Sequence, residues 1–103
     1  MRRLPPLNAL RVFEVSARQG SVAAAGDELS VTASAVSHQI KTLEEYLGVK
    51  LFSRSKRKVE LTPSGEQYLM SVKHALDEIE MATHRLADNQ DSNVVRISVA
   101  PNF

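Results

Sequence analysis

Four side chains in the stretch SVTASAVSHQIKTLEEYLG, residues 30–48, could meet a polar surface together: Ser34, Ser37, His38 and Lys41. Side chains three and four apart on a helix share a face, so these four lie along one side, with Ala33 at its leading end. Val36, Ile40, Leu43 and Leu47, at steps of four, three and four, form an inward side. Serine donates or accepts hydrogen bonds, alanine offers only a methyl group, and imidazole and ammonium groups donate. Ser37 and His38 do not form a nucleophile–base couple, because adjacent residues on a helix point about 100° apart. A helix built only to pack needs no leading end stripped to short side chains. A helix whose tip lies against something large does.

The second group of reactive side chains is cationic. Residues 49–58 carry Lys50, Arg54, Lys56, Arg57 and Lys58 with no acid, a local +5. Residues 1–48 balance five basic groups against five acidic ones, and residues 59–103 carry three basic groups against seven acidic, a local −4. The formal net charge of +1 therefore hides a positive potential focused on one short segment. A solvated basic loop is the bland alternative; its place beside the helix above argues against that.

Other chemistries find no support. Cysteine is absent, which removes disulfides and thiolate metal sites. His38, His74 and His84 lack the spacing of a metal cluster. There is no glycine-rich phosphate loop and no apolar run near the ~20 residues that span a bilayer. The start, MRRLPPLNAL, has no apolar signal core, so a cytoplasmic, non-enzymatic protein without a membrane role is expected. With 103 residues, 43% of them hydrophobic and 24% charged, the chain suits one small globular domain.

The elements that must position these groups follow from periodicity and punctuation. Leu7, Leu10, Phe13 and Ala17 predict a first helix with one inward face, closed by Gly20. Ser21 is an N-cap for a short helix, VAAAGDEL, in which Ala25 and Leu29 face inward; Gly26 there disfavours the helix by about 1 kcal/mol unless close packing requires it. After a turn at Ser30 and Val31, Thr32 caps the third helix, which Gly48 closes. Val49, Leu51 and Phe52, then a basic tip, then Val59 and Leu61 read as a β-hairpin. Thr62 and Pro63 start a fourth helix expected to run to about Asp88, ~39 Å at 1.5 Å per residue. Leu69, Val72, Leu76, Ile79, Thr83 and Leu86 recur along it at heptad spacing, and no later helix of the chain covers them, so a second copy is the expected cover. Packing on the chain's own three-helix core is the alternative for the first turns. DNQDSN, residues 88–93, reads as a polar linker, and VVRISVAPNF as a lone strand.

Helix, tight turn, helix and basic wing make a mainly α winged helix-turn-helix: three helices, a two-stranded wing and a long linker helix. In that arrangement the second helix of the pair enters the major groove of double-stranded DNA, N-terminal residues toward the bases. Short side chains reach the groove floor, where serine meets base edges and alanine a thymine methyl. Lys56, Arg57 and Lys58 would neutralise phosphates or enter a narrowed minor groove. Arg54 serves either a phosphate or a helix end. Ser21 and Thr32 act first as caps, with phosphate as a second partner. Glu44 and Glu45 would be repelled by phosphate and should point away from the duplex.

The pieces AVSHQIKTLEEYLGVKLF and LTPSGE, within a match running from Leu7 to Leu69, resemble LysR-type transcriptional regulators, and RLPPLNALRVFE resembles the branch of glycine-cleavage activators and β-lactamase regulators. The resemblance implies a homodimer, or a tetramer at full length, with linker helices paired antiparallel. It implies residues 1–62 as the DNA-binding domain, 63–88 as the linker and dimerisation helix, and 89–103 as a hinge and the first strand of an effector domain. A small-molecule effector would bind that absent C-terminal domain; no cofactor is expected in these residues. The sequence departs from the family pattern at Ala33, where a base-reading glutamine is frequent, and at Ala23 and Ala24, where threonine and a basic residue are usual. Gly26 replaces a usual alanine. Base reading would shift to Ser34, Ser37, His38, Lys41 and the wing. The competing reading is a helical protein-interaction module that dimerises through the long helix without binding DNA.

Overall fold

The structure is a computed structural model; it describes residues 4–55 and 58–92, with side chains at 4–53 and 59–89. The elements are α1 (Leu7–Gln19), α2 (Val22–Leu29), α3 (Ala33–Leu47), β1 (Phe52–Ser55), β2 (Lys58–Leu61) and α4 (Pro63–Ser92). They fall into two units, one ending at Lys73 and one beginning at His74.

In the first unit α1, α2 and α3 contact one another in every pairing, and α1 also meets β2. Val12, Val15, Ala25, Val36 and Ile40 form a buried cluster, with Val22, Leu29 and Phe52 packed against it. Phe13 is fully buried; its ring centroid lies 5.5 Å from that of Phe52 and 5.9 Å from that of Tyr68, so one side chain joins α1 to the wing and to α4. Burying a side chain of this size contributes roughly 1.5–3 kcal/mol. Burial also pushes the Tyr68 phenol above its ordinary pKa, with Tyr46 nearby adding to the rise.

The inward face of α1 differs from the expected one. Leu7 is 66% exposed, Leu10 and Ala17 are half-buried, and the covered positions are Ala9, Val12, Phe13, Val15 and Ser16. The Leu7 stripe fits helical spacing, but Leu7 is the first residue of the helix and stays open to solvent. A face containing Ala9 and Ser16 carries too little hydrophobic signal to outrank it.

Capping explains where the helices stop. Ser21 Oγ accepts from Ala24 N at 3.1 Å and Thr32 Oγ1 from Ala35 N at 3.0 Å, each satisfying a donor that a helix start leaves open. Gly20 and Gly48 take the left-handed conformation and return their N–H groups to Ser16 O (2.9 Å) and Glu44 O (2.8 Å). Ser30 does the same work at φ 62°, and the next residue, Val31, donates to Gly26 O at 2.9 Å. Here Gly26 has its reason: a Cβ would stand 2.7 Å from Val31 O, so the helix-turn-helix closes on a residue without a side chain.

β1 and β2 pair antiparallel, Phe52 opposite Leu61 and Ser55 opposite Lys58. The first arm is shorter than expected: Val49 and Leu51 precede the strand, Leu51 fully buried and Val49 44% exposed. α4 continues through Ser92, beyond the end expected at Asp88. The run DNQDS is polar, but it contains neither glycine nor proline, and polarity alone does not break a helix. The strand read at 94–103 lies outside the described residues.

The second unit is described from His74 to Ser92, all of it helical. Ile79 is 62%, Met81 52% and Leu86 65% exposed, and Leu76 is half-exposed.

Candidate nucleic-acid interface

α3 divides its residues cleanly. Val36, Ile40 and Leu43 are buried, while Ala33, Ser34, Ala35, Ser37, His38 and Lys41 are all exposed. The leading turn thus offers two small hydrophobic side chains and hydroxyl, imidazole and ammonium groups, none of them in a hydrogen bond or ion pair among the described residues. Thr32, also exposed, spends its hydroxyl on the Ala35 N–H. Ser21 is half-buried and likewise engaged as a cap.

Glu44 ties the base of the wing to this helix, and Thr62 ties it to the start of α4. Glu44 Oε2 accepts from Leu51 N at 2.9 Å and Phe52 N at 3.2 Å, and Lys50 Nζ stands 3.8 Å from Glu44 Oε1. Thr62 Oγ1 donates to Lys50 O at 2.7 Å while accepting from Gly65 N at 3.0 Å, and Thr62 N donates to Leu51 O at 3.0 Å. At Gly65 a Cβ would overlap the Leu51 carbonyl, so glycine is required for α4 to start this close to the wing. The structure adds to the reading of Glu44. Its side chain, only 10% exposed, is a structural acceptor for wing backbone. Nothing in its charge or spacing signals this, because the donors it serves are backbone N–H groups.

Arg54 and Lys58 sit in the paired strands, Arg54 opposite Val59 and Lys58 opposite Ser55; their side chains lie outside the described residues, as do Lys56 and Arg57. On α4, Leu69 is half-buried and Val72 is 6% exposed within its own chain. The first two positions of the heptad stripe therefore have cover already, and Val72 is a core residue rather than one left open for a partner. Leu76, Ile79, Thr83 and Leu86 remain accessible, Thr83 returning its hydroxyl to Ile79 O at 2.8 Å.

A further network braces the helix-turn-helix. Arg18 donates through Nε to Glu14 Oε2 (3.1 Å) and through Nη1 and Nη2 to Glu28 (3.1 and 2.8 Å), and Gln19 Nε2 adds 2.7 Å to Glu28. Hydrogen bonds from Arg18, then from Gln19, hold the Glu28 carboxyl below its usual range. The guanidinium rises in turn, first through Glu28 and then through Glu14.

Comparison with known proteins agrees with this geometry. Residues 7–66 match the family described as "Bacterial regulatory helix-turn-helix protein, lysR family". Over 102 residues the chain is 45% identical to the glycine cleavage system transcriptional activator of Escherichia coli K12, covering 99% of this chain and 33% of that protein. It is 43% identical to the carbapenem-hydrolyzing beta-lactamase transcriptional activator of Enterobacter cloacae, covering 100% of this chain and 35% of that one. Among solved structures, the BenM DBD/catB site 1 DNA complex matches with a TM-score of 0.73 at 31% identity, covering 82% of this chain and 94% of that one. The CbnR DBD–DNA complex matches with a TM-score of 0.72 at 31% identity, covering 82% and 97%. The chain spans about a third of the length of the curated relatives it matches. By its helix-turn-helix, its wing and these matches, the chain belongs to the LysR family of bacterial regulatory helix-turn-helix proteins.

Proposed function

We propose that this chain is the part of a transcriptional regulator that binds double-stranded DNA in a sequence-specific manner, with the front of α3 in the major groove and the basic wing on phosphates or in the minor groove. The observation that carries the reading is the exposed, short-side-chained face of α3 at residues 33–41, backed by buried Val36 and Ile40. Glu44 then ties the base of the wing to that helix. The BenM and CbnR matches, which are complexes with DNA, support the same placement. Regulation as a homodimer follows from the exposed Leu76, Ile79 and Leu86 on α4, and a small-molecule effector would act through residues beyond this chain. Among the described residues no helix is long and apolar enough to cross a membrane, and the reading places the protein in the cytoplasm with no catalytic role.

Salt tests the wing. Each phosphate that a side chain ceases to neutralise lowers the slope of log K against log salt by about 0.9. Replacing Lys56 and Arg57 together with alanine is expected to lower the slope, measured by titrating a duplex from the upstream region of the chain's own gene. An unchanged slope would remove the wing from the interface, and no shift of any duplex at low salt would favour the protein-interaction reading.

A further inference from the structure

We propose that His38 makes a proton-linked contact with DNA, its imidazolium donating to an acceptor oxygen on the duplex, so that affinity falls as pH rises. The inference rests on the DNA-binding reading above and deepens it. His38 is exposed on the side of α3 that also carries Ser34 one turn before it and Lys41 one turn after it. Among the described residues it takes part in no hydrogen bond or ion pair, whereas His84 stands 4.0 Å from the Glu80 carboxylate.

Few charges stand around His38 in the free protein. Three and four residues away stand Ser34, Ala35, Lys41 and Thr42, so the one charge within a turn is a cation; Glu45 is two turns on. The elements packed on α3 carry Arg11, Glu14, Arg18, Asp27 and Glu28. Of these, Arg18 is closed onto Glu14 and Glu28. A duplex reverses the balance. Laid against α3, it brings phosphate oxygens and guanine acceptors to a ring that then gains from carrying both N–H donors. A group that is more readily protonated in the complex than when free makes binding take up a proton.

Phosphate and guanine oxygens share this chemistry, and two duplexes separate them: one selected from a random pool at pH 6, and an unrelated one of equal length. Kd is measured by fluorescence anisotropy from pH 5.5 to 8 at fixed ionic strength, with far-UV circular dichroism confirming that each variant is folded. Uptake of one proton on binding means that Kd of the wild type should rise with pH by up to about tenfold per pH unit for each protomer bound. His38→Gln is expected to flatten the profile, and His38→Arg, with a permanent charge, to bind without pH dependence. His74→Gln and His84→Gln should keep the dependence. A dependence shared by both duplexes assigns the acceptor to phosphate; one confined to the selected duplex assigns it to a base edge. A flat wild-type profile, or a slope that survives in His38→Gln, overturns the inference while leaving DNA binding intact. Failure to bind either duplex at any pH overturns the DNA-binding reading and this inference with it.

Discussion

Up to Lys73, Phe13, Val36, Leu43 and Leu51 are wholly covered, whereas from His74 on, Ile79, Met81 and Leu86 are each more than half exposed. The first unit builds a buried core from within, with three helices, a wing and the first turns of α4, although Leu7 and Met70 stay open to solvent. The second is a helix whose apolar positions find no cover in their own unit. Most helical stability in proteins comes from packing an apolar face. The contrast separates two tasks: the first unit presents side chains from a packed core, and the second offers the exposed positions to which the proposed homodimer is assigned.

The sharpest way to break that contrast is Ile79→Asp. The side chain is 62% exposed, so the first unit should unfold as before, with an unchanged midpoint by circular dichroism. An unpaired carboxylate in a dimer seam costs roughly 3–5 kcal/mol, more than a hundredfold in self-association. On the homodimer reading, sedimentation should find monomer for the variant and dimer for the unsubstituted chain. A dimer of undiminished affinity would put the seam elsewhere.

Next in size is Glu44→Ala, which acts only on the first unit. It strips the acceptor from the Leu51 and Phe52 N–H groups, and hydrogen bonds to a charged partner are worth about 1.5–3 kcal/mol. Urea unfolding should show a loss of that order, with part of it restored in Glu44→Gln, which keeps an oxygen acceptor. The salt slope of DNA binding should fall as well, since the wing loses its tie to α3. Equal stability in Glu44→Ala would mean that Thr62 alone holds the wing.

How much of this is legible in the sequence differs between the same two regions. The bounds of α2 and α3, their caps at Ser21 and Thr32, the closing glycines and the exposed front of α3 all follow from local chemistry, and local chemistry is what a single sequence displays. The role of Glu44 is hidden because it depends on a turn that brings residues 51 and 52 back to it. The buried face of α1 is hidden because Ser16 is polar yet fully covered, against the rule that periodicity reads. In α4 the heptad pattern locates Leu76, Ile79 and Leu86, but periodicity does not say that Val72 is already covered by its own chain, nor does a polar run such as DNQDS reveal that the helix goes on.

Ser16 gives a smaller effect of opposite sign. Its Oγ is buried with no hydrogen-bond partner among the described residues. An unmet buried hydroxyl opposes folding, and alanine is the better helix former. Ser16→Ala should therefore raise the stability of the first unit by about 1 kcal/mol. A loss would show that the hydroxyl has a partner in solution, and that the core of the first unit is less purely apolar than the contrast holds.

The smallest effect belongs to the brace between α1 and α2. Arg18 reaches Glu14 and Glu28 with 50% of its own side chain exposed, so water and salt screen much of the attraction. Its signature is in the pH dependence. The Glu28 carboxyl is held low by Arg18 and then by Gln19, so it binds protons less readily in the folded chain than in the unfolded one. Its contribution is complete above the ordinary carboxylate value and disappears as pH falls through the lower, folded one. Thermal midpoints of the unsubstituted chain should decline over that acidic window more steeply than those of Arg18→Met, and the gap between the two should close in high salt. Parallel curves at low salt would mean that the ion pairs do not hold in solution, and that hydrophobic contact alone keeps α2 against α1.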